Sequence, residues 1–268
     1  MKILNNLLFL FILSFSFCMG QKDSLSLKLV YFPNKTYTQT VIGTQLIEIQ
    51  SPIILEPIIK QMNLNSQYII TTGAPVNNIF PITYKILDES NPKFNNLTFI
   101  GTCKLGEHPK INFISNNNFN TNEEKRIIDA FDKIIKQIPI INKKLKINDS
   151  FTVDFPMVIP HEDINLEVNI LMHYTLKEIK GNNAYLDYVM QFTSNNMNIK
   201  EINLTMEGEG KGKVIYDIDE HFFTQMQTDN SLEIIGENTD DSFFNIKIKS
   251  NISQNISIKN NFITPKIE

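Results

Sequence analysis

Apolar and polar residues alternate along most of this chain, and the longest alternations lie after residue 160. Over 165–179, Leu166, Val168, Ile170, Met172, Tyr174 and Leu176 share one parity, while Glu167, Asn169, His173, Thr175 and Lys177 share the other. A period of two marks a strand with one buried face and one wet face. A turn at Gly181, Asn182 and Asn183 leads into Ala184, Leu186, Tyr188, Met190 and Phe192, so the two runs read as a hairpin. The next run places Ile202, Leu204, Met206, Gly208, Gly210, Gly212, Val214, Tyr216 and Ile218 on one face, against Glu201, Glu207, Glu209, Lys211 and Lys213 on the other. Asp219, Glu220 and His221 form its turn, and a strand from Phe222 to about Ile235 returns. A last strand carries Phe244, Ile246, Ile248, Ile252, Ile256 and Ile258. This half is expected to be a five-stranded antiparallel meander with one apolar face.

The preceding half is less regular. Strands are expected near 25–32, 36–50, 67–73, 80–88, 96–103 and 110–115, and Pro52 and Pro57 leave 52–62 open between strand and loop. One helix is predicted over 122–138. Thr121 with Glu124 gives a capping box, Ile127, Ile128, Phe131, Ile134, Ile135 and Ile138 give an apolar stripe, and Pro139 ends it. The expected fold is mainly β with one principal helix (α+β), a long-stranded antiparallel curved sheet or half-barrel packed on that amphipathic helix. The segments 21–120 and 145–268 also echo one another across the helix. Asn96-Leu97-Thr98 before Gly101 parallels Asn203-Leu204-Thr205 before Gly208, and Leu27-Lys28 before Thr36-Tyr37-Thr38 parallels Leu145-Lys146 before Phe151-Thr152.

The size of the meander constrains the fold. Five strands about 4.8 Å apart, each of about 12 residues rising about 3.3 Å, present roughly 950 Å² of apolar face. A helix of about 17 residues shields on the order of 250 Å². The rest must be covered by the N-terminal strands, by curling of the sheet, or by a bound apolar molecule, because patches above a few hundred Å² are seldom left exposed.

Composition narrows the setting. At 42% apolar residues and a formal charge of −4 the chain can build a core and offers no basic footprint for nucleic acid. Lys2, an apolar stretch from Leu7 to Phe17 and Gly20 follow the layout of a signal peptide over residues 1–20, too short to span a bilayer. Export to the periplasm or the extracellular space is therefore expected, with 21–268 as one β-rich domain. Cys18 at the end of the leader is the position a lipoprotein would lipidate, but Phe17 stands where a lipobox has a small residue. Without Cys18, Cys103 has no disulfide partner and reads as a small buried apolar residue.

No familiar catalytic motif is present. Gly212-Lys213 fails as a phosphate loop, because Glu207 stands where that motif needs Gly and Val214 where it needs Ser or Thr. The alternating glycines instead clear space on one strand face, either for the helix, for a sharp bend, or for a ligand. His108, His161, His173 and His221 show no metal-ligand spacing, so neither a metal nor a cofactor is implied. His161 beside Glu162 and Asp163, and His221 after Asp217, Asp219 and Glu220, are the positions from which a hydrolase site would have to be assembled. Met172, Met190, Met206 and Met226 fall on or near the inward faces of successive strands, as core filling or as a pliable lining for a flexible apolar ligand.

The leader, the meander, the alternating-glycine strand and the preceding helix together resemble the β-rich exported envelope proteins of Bacteroidetes and, more distantly, half-barrel periplasmic lipoprotein and lipid carriers. The uncovered apolar area and the inward methionines lead to the expectation of a non-enzymatic binding or carrier module for an apolar small molecule, a lipid or acyl chain, enclosed between meander and helix. Its candidate lining is Met172, Tyr174, Tyr188, Met190, Phe192, Met206, Gly208, Gly210, Gly212 and Met226. The alternatives are a structural or surface-interaction envelope protein with a solid core, and a hydrolase.

Overall fold

The computed structural model describes residues 24–52, 56–88, 95–115, 119–137, 141–161, 164–194, 197–199, 202–238 and 243–261. The leader with Cys18, the pair Glu162 and Asp163, and the helix-ending Ile138 and Pro139 lie outside the described residues. Among the described residues the chain is mostly strand, with one helix. In order it forms β1 (Ser24–Lys28), β2 (Lys35–Gln50), β3 (Ile58–Thr72), β4 (Ile79–Leu87), β5 (Thr98–Lys104), β6 (Lys110–Ser115) and helix α1 (Thr121–Gln137). There follow β7 (Asn142–Lys146), β8 (Ser150–His161), β9 (Ile164–Lys180), β10 (Asn183–Thr193), β11 (Met197–Ile199), β12 (Ile202–Asp217), β13 (Phe222–Asn238) and β14 (Phe243–Asn260).

The expected meander is present as the consecutive neighbours β9, β10, β12, β13 and β14, with β8 added outside β9 and the short β11 beside β12. It continues into the first half, because β14 pairs antiparallel with β2 and the order runs on through β3, β4, β5 and β6. The result is one large, curved antiparallel sheet. The segment left open by its prolines is strand from Ile58 onward, and β7 and β8 are elements the alternation did not disclose.

Asparagine sets the chain reversals. Asn34 and Asn148, at φ 57° and 71°, occupy the left-handed region that Asn tolerates better than most residues, and each stands just before a long strand of its half. Both donate a backbone N–H to the neighbouring hairpin, Asn34 to the Gly73 carbonyl and Asn148 to that of Leu176.

Two separate plugs cover the inner face. Helix α1 serves the first half, where Phe131 stacks on Phe99 with ring centroids 4.0 Å apart, and where Ile127, Ile128 and Ile135 join a core containing Tyr37, Phe80, Ile82 and Ile114. The second half is covered by a two-stranded ribbon in which β1 pairs with β7, opposing Leu25 to Leu145. Leu25 and Leu27 are fully buried there, against Leu176, Leu186, Val214 and Tyr216.

The helix also closes the sheet. The outermost strands, β6 and β8, both run against α1, so the sheet curls until its two edges meet one element. Asp132 accepts the backbone N–H of Ile111 at 3.3 Å and Glu124 accepts that of Ile114 at 3.0 Å, which satisfies outward-pointing donors that would otherwise template another strand. Glu124 is thereby removed from the capping role expected of it. The capping box is built one residue earlier, with Asn120 Oδ1 accepting from the N–H groups of Asn122 and Glu123, and Glu123 accepting from that of Asn120.

Leu27→Ala leaves a void beneath the ribbon and is expected to cost about 2–5 kcal/mol. Ile59→Thr, on an exposed strand position, is expected to change stability by less than about 0.5 kcal/mol. Urea denaturation of the two variants checks both values.

Candidate functional site

The residues expected to line a ligand do come together on one face. Across the ladders, Tyr174, Tyr188, Gly212 and Thr228 form one row, and Met172, Met190, Gly210 and Asn230 form the next. Phe192, Gly208 and Leu232 form a third. Met172, Tyr174, Tyr188, Met190 and Met206 are buried, and Phe192 and Met226 are half-buried against the same core.

The glycines owe their place to atoms of both adjacent strands, chiefly backbone at Gly208 and side chains as well at Gly210 and Gly212. A Cβ on Gly212 would stand 2.5 Å from the ring and hydroxyl of Tyr188 and would collide with the Gln227 carbonyl oxygen. On Gly210 it would stand 2.8 Å from Met190 Cγ and 2.9 Å from Asn230 Cβ. Tyr188 lies across the gap and its hydroxyl bonds to Thr228 Oγ1. The helix is not what fills this space. It packs on the opposite half, and the ribbon of β1 and β7 lies over the meander instead, so the expected enclosure between meander and helix is not formed.

Farther from the β12–β13 turn, the same inward face changes character twice. Asn230, Ser250 and Gln45 lie side by side across β13, β14 and β2, with Gln45 Nε2 3.4 Å from Ser250 Oγ, and make a polar belt. Beyond the belt the face is apolar again: Leu232, Ile248 and Ile47 form one row, and Ile234, Ile246 and Ile49 the next. None of these six is buried, although Met206, which shares a row with Ile234, is. Ile47, Ile49, Ile246 and Ile248 belong to neither core. The parity of these positions was visible in the chain, but which strands stood side by side was not.

Two cavities among the described residues bear on function. A trough of about 760 Å³ crosses six strands and is lined largely by exposed residues of the solvent face, among them Val189, Glu209, Lys211, Asp229 and Lys249. A smaller cavity of about 370 Å³ lies beside the ribbon of β1 and β7 and is lined by Lys28, Val30, Phe32, Leu105, Gly106, Ile141, Asn142 and His221.

His221 is held at φ 51°, and its Nδ1 lies 2.9 Å from the Tyr216 hydroxyl. The acidic residues before it serve the turn. Asp217 Oδ1 accepts from Asn182 Nδ2 and from the backbone N–H groups of Asp219 and Glu220. Glu220 pairs with Lys35 at 2.9 Å. His173 lies on the polar face as expected, where its Nδ1 is 3.1 Å from Thr152 Oγ1. Among the described residues no three His, Cys, Asp or Glu side chains are grouped to hold a metal ion. Burial pushes the Cys103 thiol up to about 11, which keeps it protonated and unreactive near neutral pH. Burial likewise raises Tyr37, Tyr84 and Tyr174, and lifts Tyr216 to about 12.

Compared with known proteins, the chain matches no family model and no curated protein. No described helix is long and apolar enough to cross a membrane.

Gly210→Ala is expected to cost about 1–3 kcal/mol through crowding, and a smaller cost in a Met190→Ala background is expected if Met190 is the neighbour it meets. A double-mutant cycle in urea measures that coupling. The buried tyrosines hold their protons more tightly folded than unfolded, so their contribution is complete below pH 10 and is lost as the pH climbs through about 12. Tyrosine absorbance and circular dichroism followed together over that range should show ionisation coupled to cooperative unfolding.

Proposed function

We propose that the protein is an exported, non-enzymatic binding module that holds an elongated apolar ligand, a lipid or acyl chain, against the inner face of β2, β13 and β14 beyond the polar belt. One observation carries this reading. Inward-facing Ile47, Ile49, Ile246 and Ile248 continue the rows of the core yet lie outside both cores and are only half-buried. On β12 the rows continue through Gly208 and Met206 and a further row adds Leu204 and Phe244, whereas β3 brings Lys60, so the apolar face spans four strands. At about 4.8 Å per strand and about 6 residues of about 3.3 Å it measures roughly 380 Å², the size of patch that is often functional. The ligand is placed beyond Met190 and the glycine stripe, since Tyr188 and Met190 occupy that stripe. The signal-peptide layout of residues 1–20 supports action in the periplasm or outside the cell.

The filled glycine stripe favours a second reading, in which both cores are solid and the protein is a structural or surface-interaction component of the envelope. Titration with the fluorescent fatty acid cis-parinaric acid separates the two. Saturable binding weakened at least tenfold by Ile248→Lys, and left unchanged by Val189→Lys on the solvent face, is the expected result. No saturable binding, or equal binding by both variants, overturns the carrier reading and leaves the structural one. Native mass spectrometry of protein purified from its own host should show a stoichiometric lipid.

A further inference from the structure

The cavity beside His221 has an unusual hydrogen count. The Tyr216 hydroxyl has three polar neighbours: the Lys28 carbonyl oxygen at 2.7 Å, the Lys28 N–H at 3.0 Å and His221 Nδ1 at 2.9 Å. A carbonyl oxygen only accepts, so the single hydroxyl hydrogen goes to Lys28 O. A backbone N–H only donates, so it takes one lone pair of the phenol oxygen. The third neighbour must then be a donor as well, which puts a proton on His221 Nδ1; in the neutral ring that leaves Nε2 as a lone pair. No hydrogen bond to Nε2 is formed among the described residues.

The surroundings keep that ring in place. The left-handed backbone of His221 is one that residues other than Gly, Asn and Asp rarely adopt, and it is maintained by the Asp217 cap and by the bond from the Val30 N–H to the His221 carbonyl. Phe32 lies 5.8 Å from the imidazole, ring centre to ring centre. The remaining walls are Val30, Leu105 and Ile141, contributed by the link after β1, the β5–β6 turn and the residue before β7. Mostly apolar walls with a few polar groups, here His221, Lys28 and Asn142, are the usual layout of a small-molecule site.

We propose that this cavity binds a small uncharged molecule with an apolar body and one hydroxyl or N–H group, donated to His221 Nε2. The site is separate from the apolar face of β2, β13 and β14 and stands or falls without it. Its volume of about 370 Å³ accommodates a single aromatic ring with room for substituents.

Phenol and anisole test the assignment, since they share a ring and differ in the donor. In protein labelled with ¹⁵N-histidine, the His221 signals are identified by their loss in His221→Asn, a replacement whose side chain tolerates the left-handed backbone. The expected spectrum shows Nε2 unprotonated and shifted saturably by phenol. Phenol should bind about fivefold or more tightly than anisole, the equivalent of about 1 kcal/mol for one hydrogen bond. The preference should vanish in His221→Asn while that variant keeps the wild-type circular dichroism. A protonated Nε2, equal affinity for the two probes, a preference that survives in folded His221→Asn, or no saturable shift overturns the proposal. Should His221→Asn fail to fold, the phenol-to-anisole ratio on the wild-type protein decides alone.

Discussion

One antiparallel sheet exposes far more inner surface than any single element of this chain can cover, and the architecture is organised around that excess. The first half is closed by α1 and the second by the ribbon of β1 and β7. Helix α1 and β7 come from the stretch between β6 and β8, and β1 precedes β2. Because α1 also touches both outermost strands, curling the sheet and covering it are achieved by the same helix. Its two carboxylates on the β6 edge give that closure direction as well as area.

What remains uncovered follows from the unequal lengths of the strands. β4, β5 and β6 are 9, 7 and 6 residues long, whereas β2, β13 and β14 have 16, 17 and 18. Helix α1 covers the short strands and the five-residue ribbon strands cover only part of the meander. The long strands continue past them, first through Asn230, Ser250 and Gln45 and then through the isoleucine rows, so the apolar face emerges where the covering elements end.

Much of this architecture was legible in the chain because period-two alternation reports burial directly. The runs holding Met172, Met190 and Ile248 lie in the strands they suggested, and the apolar stripe of the helix faces the core. Less legible was anything set by partners distant in sequence. Asn142–Lys146 carries only Leu145 as a buried residue and shows no alternation of its own, so the ribbon depended on β1 being beside it. The alternating glycines left helix, bend and ligand open as explanations, whereas the stripe is occupied by Tyr188 and Met190, cross-strand neighbours no periodicity identifies. The role of His221 was hidden for the same reason. Tyr216 and Lys28, which orient it, are 188 residues apart.

The pairing of β2 with β14 gives the fold a particular kinetic character. Thr36 and Asn261, at the foot of this seam, are joined by a side-chain hydrogen bond across 225 residues, and the ladder beside it runs the full length of β2. A chain synthesised from its N-terminus makes β2, and β3 beside it, long before β14, whose Asn245 and Asn260 pair with Gln50 and Lys35. The hairpins on either side can form early and locally, but the central seam cannot, and closure over so long a span slows folding. Until that seam closes, the exposed edge of β2 is the part of the molecule most open to pairing with another chain.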